Sequence, residues 1–459
     1  MRIERDSLGT LEVPADALWG IQTERARRNF AISGLRPLPE FVDAVVRIKR
    51  AAALVHQALG ELDAERGGAI VRAADEVLGG AHRDQFVVDP YQAGAGTSHN
   101  MNVNEVLANR ANELLGAPRG AYAPVHPNDH VNRAQSTNDV IPTAMRLALL
   151  TAFPRFDAQA AALENALEDR GRAFDDIVKA GRTHLQDAMP IRLGQEFAAY
   201  AHTVARSRAR LARALDDLRE LGIGGTAVGT GVNAEPGYAR EMVRQLRADT
   251  GLDLREGADR VQLMQSLGDV AAFHATLRTF AGDVAKIADD LRLMASGPRT
   301  GLDEIRLPAV QPGSSIMPGK VNPSIAEMVN QVCLQVVGND ATVAAAAERG
   351  QLELNVMMPV IAHNALFSLQ IFGNALQALA ERCVRGIEAN AAQAAYWVER
   401  SAALATALAP AIGYERAAAL AKRSVVEGVL VRDLAAREQV LPPAELARLL
   451  DLDRMTRPD

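Results

Sequence analysis

With 459 residues, 48% hydrophobic and 23% charged, the chain is long enough for two or three domains and has the composition of an ordinary globular protein. A net charge of −6 and the lack of any concentrated Lys and Arg run exclude a nucleic-acid or membrane-surface binder. Aromatic residues make up only 4%, so Ala, Leu, Val and Ile must fill the core, which favours closely spaced helices over a β-sandwich.

Residues 1–136 are mixed in character. Met1 to Asp6 carries charges where a secretory signal needs an apolar run, and no stretch approaches the roughly 20 apolar residues that span a bilayer, so a cytoplasmic protein is expected. Prolines at 14, 37, 39, 90, 124 and 127 punctuate short helical stretches over 44–62 and 69–78. From residue 137 to about 389 the chain holds long helical patterns separated by Gly- and Pro-containing loops. Residues 193–218 read as one helix. Leu263, Leu267, Val270, His274, Leu277, Ala281, Val284, Ala288 and Leu291 follow alternating spacings of four and three, the seam of a helix packed along its length. Phe273, Phe280, Ile287 and Met294 form a second apolar row, so this helix is expected to touch neighbours on more than one side. Another long helix is expected from Pro323 through Ala347, with Asn322 as its cap. Rods of about 40 Å suggest a bundle shared between subunits. The residues from 390 to 459, broken at Pro410, Gly413, Pro442 and Pro443, read as a small separate helical domain. Cys333 and Cys383 have no ligand-like spacing and are expected to be buried thiols.

Four polar segments carry candidate chemistry. Residues 313–327 place small polar groups, glycines and Lys320 ahead of a helix, where backbone N–H groups can meet an anion and stabilise the alkoxide of Ser314 or Ser315. A loop that merely starts a helix is the competing reading. Residues 135–139 (QSTND), 181–188 (GRTHLQDA) and 94–98 (GAGTS) are each, alone, consistent with turn or capping segments. The glycine-rich run 222–231 lacks the Gly-Lys-Ser/Thr of a phosphate loop and any surrounding βαβ unit, so nucleotide binding is not expected. His126 and His130 are separated by Pro127, and no helix is expected to hold both; metal binding is not expected there or elsewhere. His274 reads as a hydrogen-bonded histidine in the helix seam. His99 is open between a role in substrate choice and none, and Arg299 between a loop anchor and a substrate contact.

Together these segments resemble the aspartase and class II fumarase superfamily. The run GSSIMPGKVNP at 313–323 is highly specific to it, and RIERDSLGTLEVPADALWG near the start, NMNVNEVLANRA at 100–111, GRTHLQDA, GTAVGTGVN at 225–233, SGPR at 296–299, QLELNV at 351–356 and IGYERAA at 412–418 extend the likeness over the whole chain. The resemblance implies an all-α, three-domain fold (1–136, 137–389 and 390–459) whose central long helices form the core of a homotetramer, with active sites built from loops of three subunits. It implies that Ser314 is the catalytic base, His184 an active-site histidine and Glu327 the carboxylate that orients it. Lys320 and Asn322 resemble carboxylate binders. Thr97, Ser136, Thr137, Asn138 and Thr183 resemble substrate contacts, with Ser315 a further one. The implied ligand is a small dicarboxylate, and the chemistry requires no metal or organic cofactor.

Within the superfamily, Asp89 to Gln92 followed by GAGTS, Ser136-Thr-Asn-Asp139 and the 355–360 segment resemble the ammonia-lyases, although aspartases often carry Glu where Met358 stands. Residues 125–129 (VHPND) and 361–364 resemble the hydratases. An ammonium group leaves already protonated whereas a hydroxyl needs an acid, a part open to His184. The balance favours the ammonia-lyase, with the hydratase as alternative. A catalytically silent structural relative, of the kind recruited as a lens crystallin, is disfavoured because Ser314, Lys320, Asn322 and His184 are all present.

Overall fold

The computed structural model describes residues 1–457. Its main helices are α1 (Ile21–Asn29), α2 (Pro39–Ala58), α3 (Ala64–Leu78), α4 (Thr97–Leu114), α5 (Thr137–Ala173), α6 (Leu193–Ala214), α7 (Tyr238–Thr250), α8 (Arg260–Gln265), α9 (Gly268–Met294), α10 (Ser324–Ala347), α11 (Met358–Arg382) and α12 (Ala391–Arg400), followed by the 14-residue helix Tyr414–Glu427 and several shorter helical turns. The longer strands form two antiparallel hairpins, β1 (Arg2–Asp6) with β2 (Gly9–Val13) and β3 (Val178–Thr183) with β4 (Gln186–Arg192). The fold is thus of the expected all-α class. Among the described residues no helix is long and apolar enough to cross a membrane.

The chain divides into two compact units. The first comprises residues 1–157, 209–281 and 334–372. Here α2 begins with Pro39 at a position where a missing N–H costs nothing, and α3 is capped by Asp63, whose carboxylate accepts from the Arg66 N–H at 2.9 Å. The sparse aromatics are concentrated where long helices meet. Phe156 of α5, Phe280 of α9 and Phe372 of α11 pack with ring centroids 5.2 to 6.2 Å apart. His274 is buried among α9, α10 and α11, with Nδ1 2.8 Å from Asp340 and Nε2 3.0 Å from Ser368 Oγ, the hydrogen-bonded seam histidine expected. The continuous seam over 263–294 is interrupted: α8 ends at Gln265 and α9 starts at Gly268, because the Ser266 N–H closes α8 on Gln262 and Ser266 itself is extended.

The second unit comprises residues 158–208, 282–333 and 373 onward. Phe197 and Tyr200 of α6 face inward. Phe197 meets Phe174 at 5.4 Å, and the Tyr200 hydroxyl donates to Asp290 at 2.8 Å. Leu404, Leu408, Leu420, Val431, Leu434, Leu446 and Leu450 form a core of their own near the C-terminus. Cys333 and Cys383 are free and buried, as expected.

Candidate active site

In the first unit, the starts of α4 and α5 lie side by side. Gly96, at φ +82°, precedes Thr97, and a Cβ there would stand 3.1 Å from Cγ1 of Ile141 on α5, so glycine permits both the turn and the approach. The Asn100 amide nitrogen then donates to Thr137 Oγ1 at 3.3 Å, tying one helix start to the other. Thr97 is exposed, and Ser136, Thr137 and Asn138 are half-buried. Two adjacent helix N-termini with small hydroxyl and amide side chains offer N–H groups and positive dipole ends of the kind an anion can meet. Ser136 Oγ accepts from the Asn138 N–H at 3.2 Å, while Asn138 Nδ2 donates to the Ala227 carbonyl at 2.8 Å.

This corner is braced by Asp139, which has no exposure. Its oxygens accept from the N–H groups of Ser136 (2.9 Å), Gly224 (2.9 Å) and Thr226 (3.0 Å), so one carboxylate holds both the α5 start and the glycine-rich loop. Burial pushes its pKa up to about 6, against the pull of those N–H donors and of Lys49. Lys49, fully buried in α2, is lowered to about 7 by the same loss of water, with Asp139 opposing the shift. Sequence reasoning missed Lys49. The available signal was its place among Val42, Val45, Ala52 and Ala53 on one apolar helix face, where a lysine has no packing reason to be.

His99, buried in the first turn of α4, stacks on Phe41 of α2 at 4.7 Å, and burial lowers its pKa to about 3. Its ring faces α2, and among the described residues neither ring nitrogen has a hydrogen-bond partner. His126 and His130 are brought together after all: Pro127–Val131 forms a π-helical turn in which the His126 N–H donates to His130 Nδ1 at 2.8 Å, so Pro127 starts a helical turn instead of preventing one. Among the described residues no group of three or more His, Cys, Asp or Glu is arranged to hold a metal ion.

The second unit carries the remaining candidates. Thr183 and His184 lie at the tip of the β3–β4 hairpin, where Thr183 pairs with Gln186 across a two-residue turn. His184 and Leu185 have φ of +55° and +59°, the left-handed pair that such a turn demands, and both side chains are exposed. Behind the tip, Arg182 and Lys179 converge on Glu304, a buried carboxylate that the sequence reading passed over.

The 313–322 loop is closed at its neck. Asn322 Nδ2 donates to the Gly313 carbonyl at 2.5 Å, and a Cβ on Gly313 would stand 2.1 Å from the Lys320 carbonyl oxygen, so only glycine fits. Asn322 is therefore a loop clasp and not the cap of α10, which begins at Ser324. Ser314 Oγ accepts two backbone N–H groups, from Ile316 at 3.2 Å and Met317 at 2.9 Å. Donors aimed at a serine oxygen stabilise its alkoxide. Ser315 and Lys320 are exposed, and Glu327 is half-buried in the first turn of α10. Among the described residues no hydrogen bond joins Glu327 to His184.

Residues 9–338 match the family model described as Lyase, and residues 404–457 that described as Fumarase C C-terminus. The chain is 47% identical over 458 residues to the aspartate ammonia-lyase of Bacillus subtilis, covering 100% of this chain and 96% of that one. It is 51% identical over 460 residues to the class II fumarate hydratase of Halobacterium salinarum, covering 99% and 97%. Among solved structures, the fumarate lyase:delta crystallin of Brucella melitensis bound to cobalt superposes with a TM-score of 0.96 at 49% identity, over 100% of both chains. Helical fold, loop set and whole-length identity agree: the chain is an enzyme of the lyase superfamily that unites aspartate ammonia-lyases with class II fumarate hydratases.

Proposed function

We propose that this lyase is an aspartate ammonia-lyase, converting L-aspartate reversibly to fumarate and ammonia. The observation that carries the reading is the pair of adjoining helix starts, GTS at the head of α4 and STND at the head of α5. Both segments resemble ammonia-lyases more than hydratases, and a relative of that name is similar over the full length. The hydratase reading is supported by the 125–129 segment and by a relative at 51% identity.

In the proposed reaction the Ser314 alkoxide takes a proton from the methylene carbon beside one carboxylate. The C–H electron pair moves into that carboxylate, giving a dianionic aci-form. Its collapse forms the carbon–carbon double bond and expels the amino group from the neighbouring carbon with the C–N electron pair. Charge on the aci-carboxylate is the main cost, and pre-aimed donors are what lower it. Lys320, Asn322, Thr97, Ser136, Thr137, Asn138, Thr183 and Ser315 are assigned to the two carboxylates and the amino group. His184, oriented by Glu327, stands at the leaving group; it acts as an acid only in the hydratase alternative, because an ammonium leaves already protonated. No metal or organic cofactor enters these steps.

The proposal includes a homotetramer with each site assembled from three subunits, on a chain divided at about residues 136 and 389. Mixing a variant inactivated at Ser136 to Asn138 with one inactivated at Ser314 should then restore activity. No recovery after verified subunit exchange would sink the composite site. The substrate is tested by ultraviolet absorbance, since fumarate's conjugated double bond absorbs where L-aspartate and L-malate do not. A rise with L-aspartate alone supports the ammonia-lyase; a rise with L-malate alone replaces it with the hydratase.

A further inference from the structure

Behind Thr137, at the α5 start, runs a partly buried polar chain whose other members the proposed chemistry does not use. The Lys49 ammonium, with no exposure, donates to Asn132 Oδ1 at 2.8 Å and Gln135 Oε1 at 2.9 Å. Both partners are neutral amides, an unusual match for a buried lysine. A lysine ammonium has donors and no acceptor, so each amide must turn its oxygen toward it. The Asn132 oxygen, fixed in this way, also accepts Nδ2 of Asn100 and Nδ2 of Asn104, both at 3.2 Å. Asn100 Nδ2 in turn donates to Thr137 Oγ1 at 3.3 Å. The Thr137 oxygen is thereby occupied as an acceptor, and its own proton is directed elsewhere. Were the Asn100 amide reversed, its oxygen would face the Asn132 oxygen and would take the Thr137 proton.

We propose that Lys49 is a positioning residue: acting through Asn132 and Asn100, it sets the hydrogen-bond polarity at Thr137 so that this hydroxyl donates to a substrate carboxylate. A carboxylate only accepts, so a Thr137 proton spent on Asn100 would leave two oxygens facing each other. The inference rests on Thr137 being a carboxylate contact.

The test is a pair of double-mutant cycles, Lys49→Met with Thr137→Val and Asn100→Asp with Thr137→Val. KM and kcat are measured on whichever of L-aspartate or L-malate turns over, and folding is checked by circular dichroism and assembly size. Asn100→Asp replaces the donor to Thr137 by an acceptor without touching Lys49. Each single change is expected to raise KM about tenfold with kcat less affected, and neither should add to Thr137→Val. Multiplicative effects in the double variants would overturn the positioning role while leaving Thr137 as a contact. An unchanged KM for Thr137→Val alone would overturn both. If Lys49→Met does not fold, the Asn100→Asp cycle decides the matter by the same criteria.

Discussion

The Glu304 carboxylate accepts from Arg182 Nη1 through both oxygens, at 2.9 and 3.0 Å, and has no exposure to solvent. Arg182 immediately precedes Thr183 and His184, so the exposed hairpin tip is anchored by a carboxylate buried below it. Lys179 reaches the same carboxylate at 3.2 Å and Glu196 at 2.9 Å. Replacing Glu304 by Gln would leave two largely buried cations with one carboxylate. Breaking a buried pair in this way costs about 3 kcal/mol. Glu304→Gln is therefore expected to unfold at markedly lower denaturant and to lose turnover as the hairpin loosens. Unchanged stability would show that Arg182 and Lys179 are compensated by Glu196 alone.

Asp139 offers a second test because its acceptors are used three ways, on Ser136, Gly224 and Thr226. Asp139→Ala orphans these N–H groups, at about 1 kcal/mol or more each. Asp139→Asn keeps the shape and one acceptor oxygen and should lose less. Both should raise KM, since the α5 start and the glycine-rich loop lose their common brace. Equal stability for the Ala and Asn variants would remove the hydrogen-bonding explanation.

Helix periods and polar loops were legible in the chain because they are local. The 4-3 seam marked α9, and Pro323 marked the start of α10 to within a residue. Pairings across long sequence separations were not. Asn100 with Thr137 and Arg182 with Glu304 are set by tertiary packing, and nothing in either neighbourhood announces its partner. The 181–188 segment read as a turn, and its strands were hidden because Arg, Thr, His, Gln and Asp give no apolar alternation. The break at Ser266 escaped because apolar spacing continued across it. Candidate site residues came mostly from family resemblance, whereas most of the residues that hold them are visible only in the fold, Lys49 on the apolar face of α2 being the exception.

The link between α3 and α4 predicts a pH dependence. Glu76 is held by Arg110 at 2.6 and 2.9 Å and by His82 at 3.0 Å. The Arg110 hydrogen bonds lead in lowering its pKa from 4.5 to about 2, against partial burial. A carboxyl whose folded pKa is depressed favours the folded state above its unfolded pKa and ceases to do so as pH falls through the folded one. The contribution of Glu76 should thus be full above pH 4.5 and fade toward pH 2. Urea unfolding of Glu76→Gln against the parent chain should show a gap at pH 6 that narrows between these limits. A gap independent of pH would mean that packing, and not the charge, is what the substitution removes.

Ser314 and Ser315 are adjacent, yet only Ser314 is described with N–H donors on its oxygen, from Ile316 and Met317. An alkoxide at Ser314 is therefore supported locally, while the Ser315 side chain stands exposed. Removing the Ser314 hydroxyl leaves two N–H groups in an exposed loop, where water replaces the lost acceptor, so folding should be unaffected. The catalytic cost should be large, because a positioned base contributes about 10²- to 10⁴-fold. Ser314→Ala is expected to lose at least that much kcat with its melting behaviour intact, and Ser315→Ala to change KM more than kcat. A Ser314→Ala enzyme with near-parental turnover would move the base elsewhere, and a matching collapse in Ser315→Ala would identify the neighbour as that base.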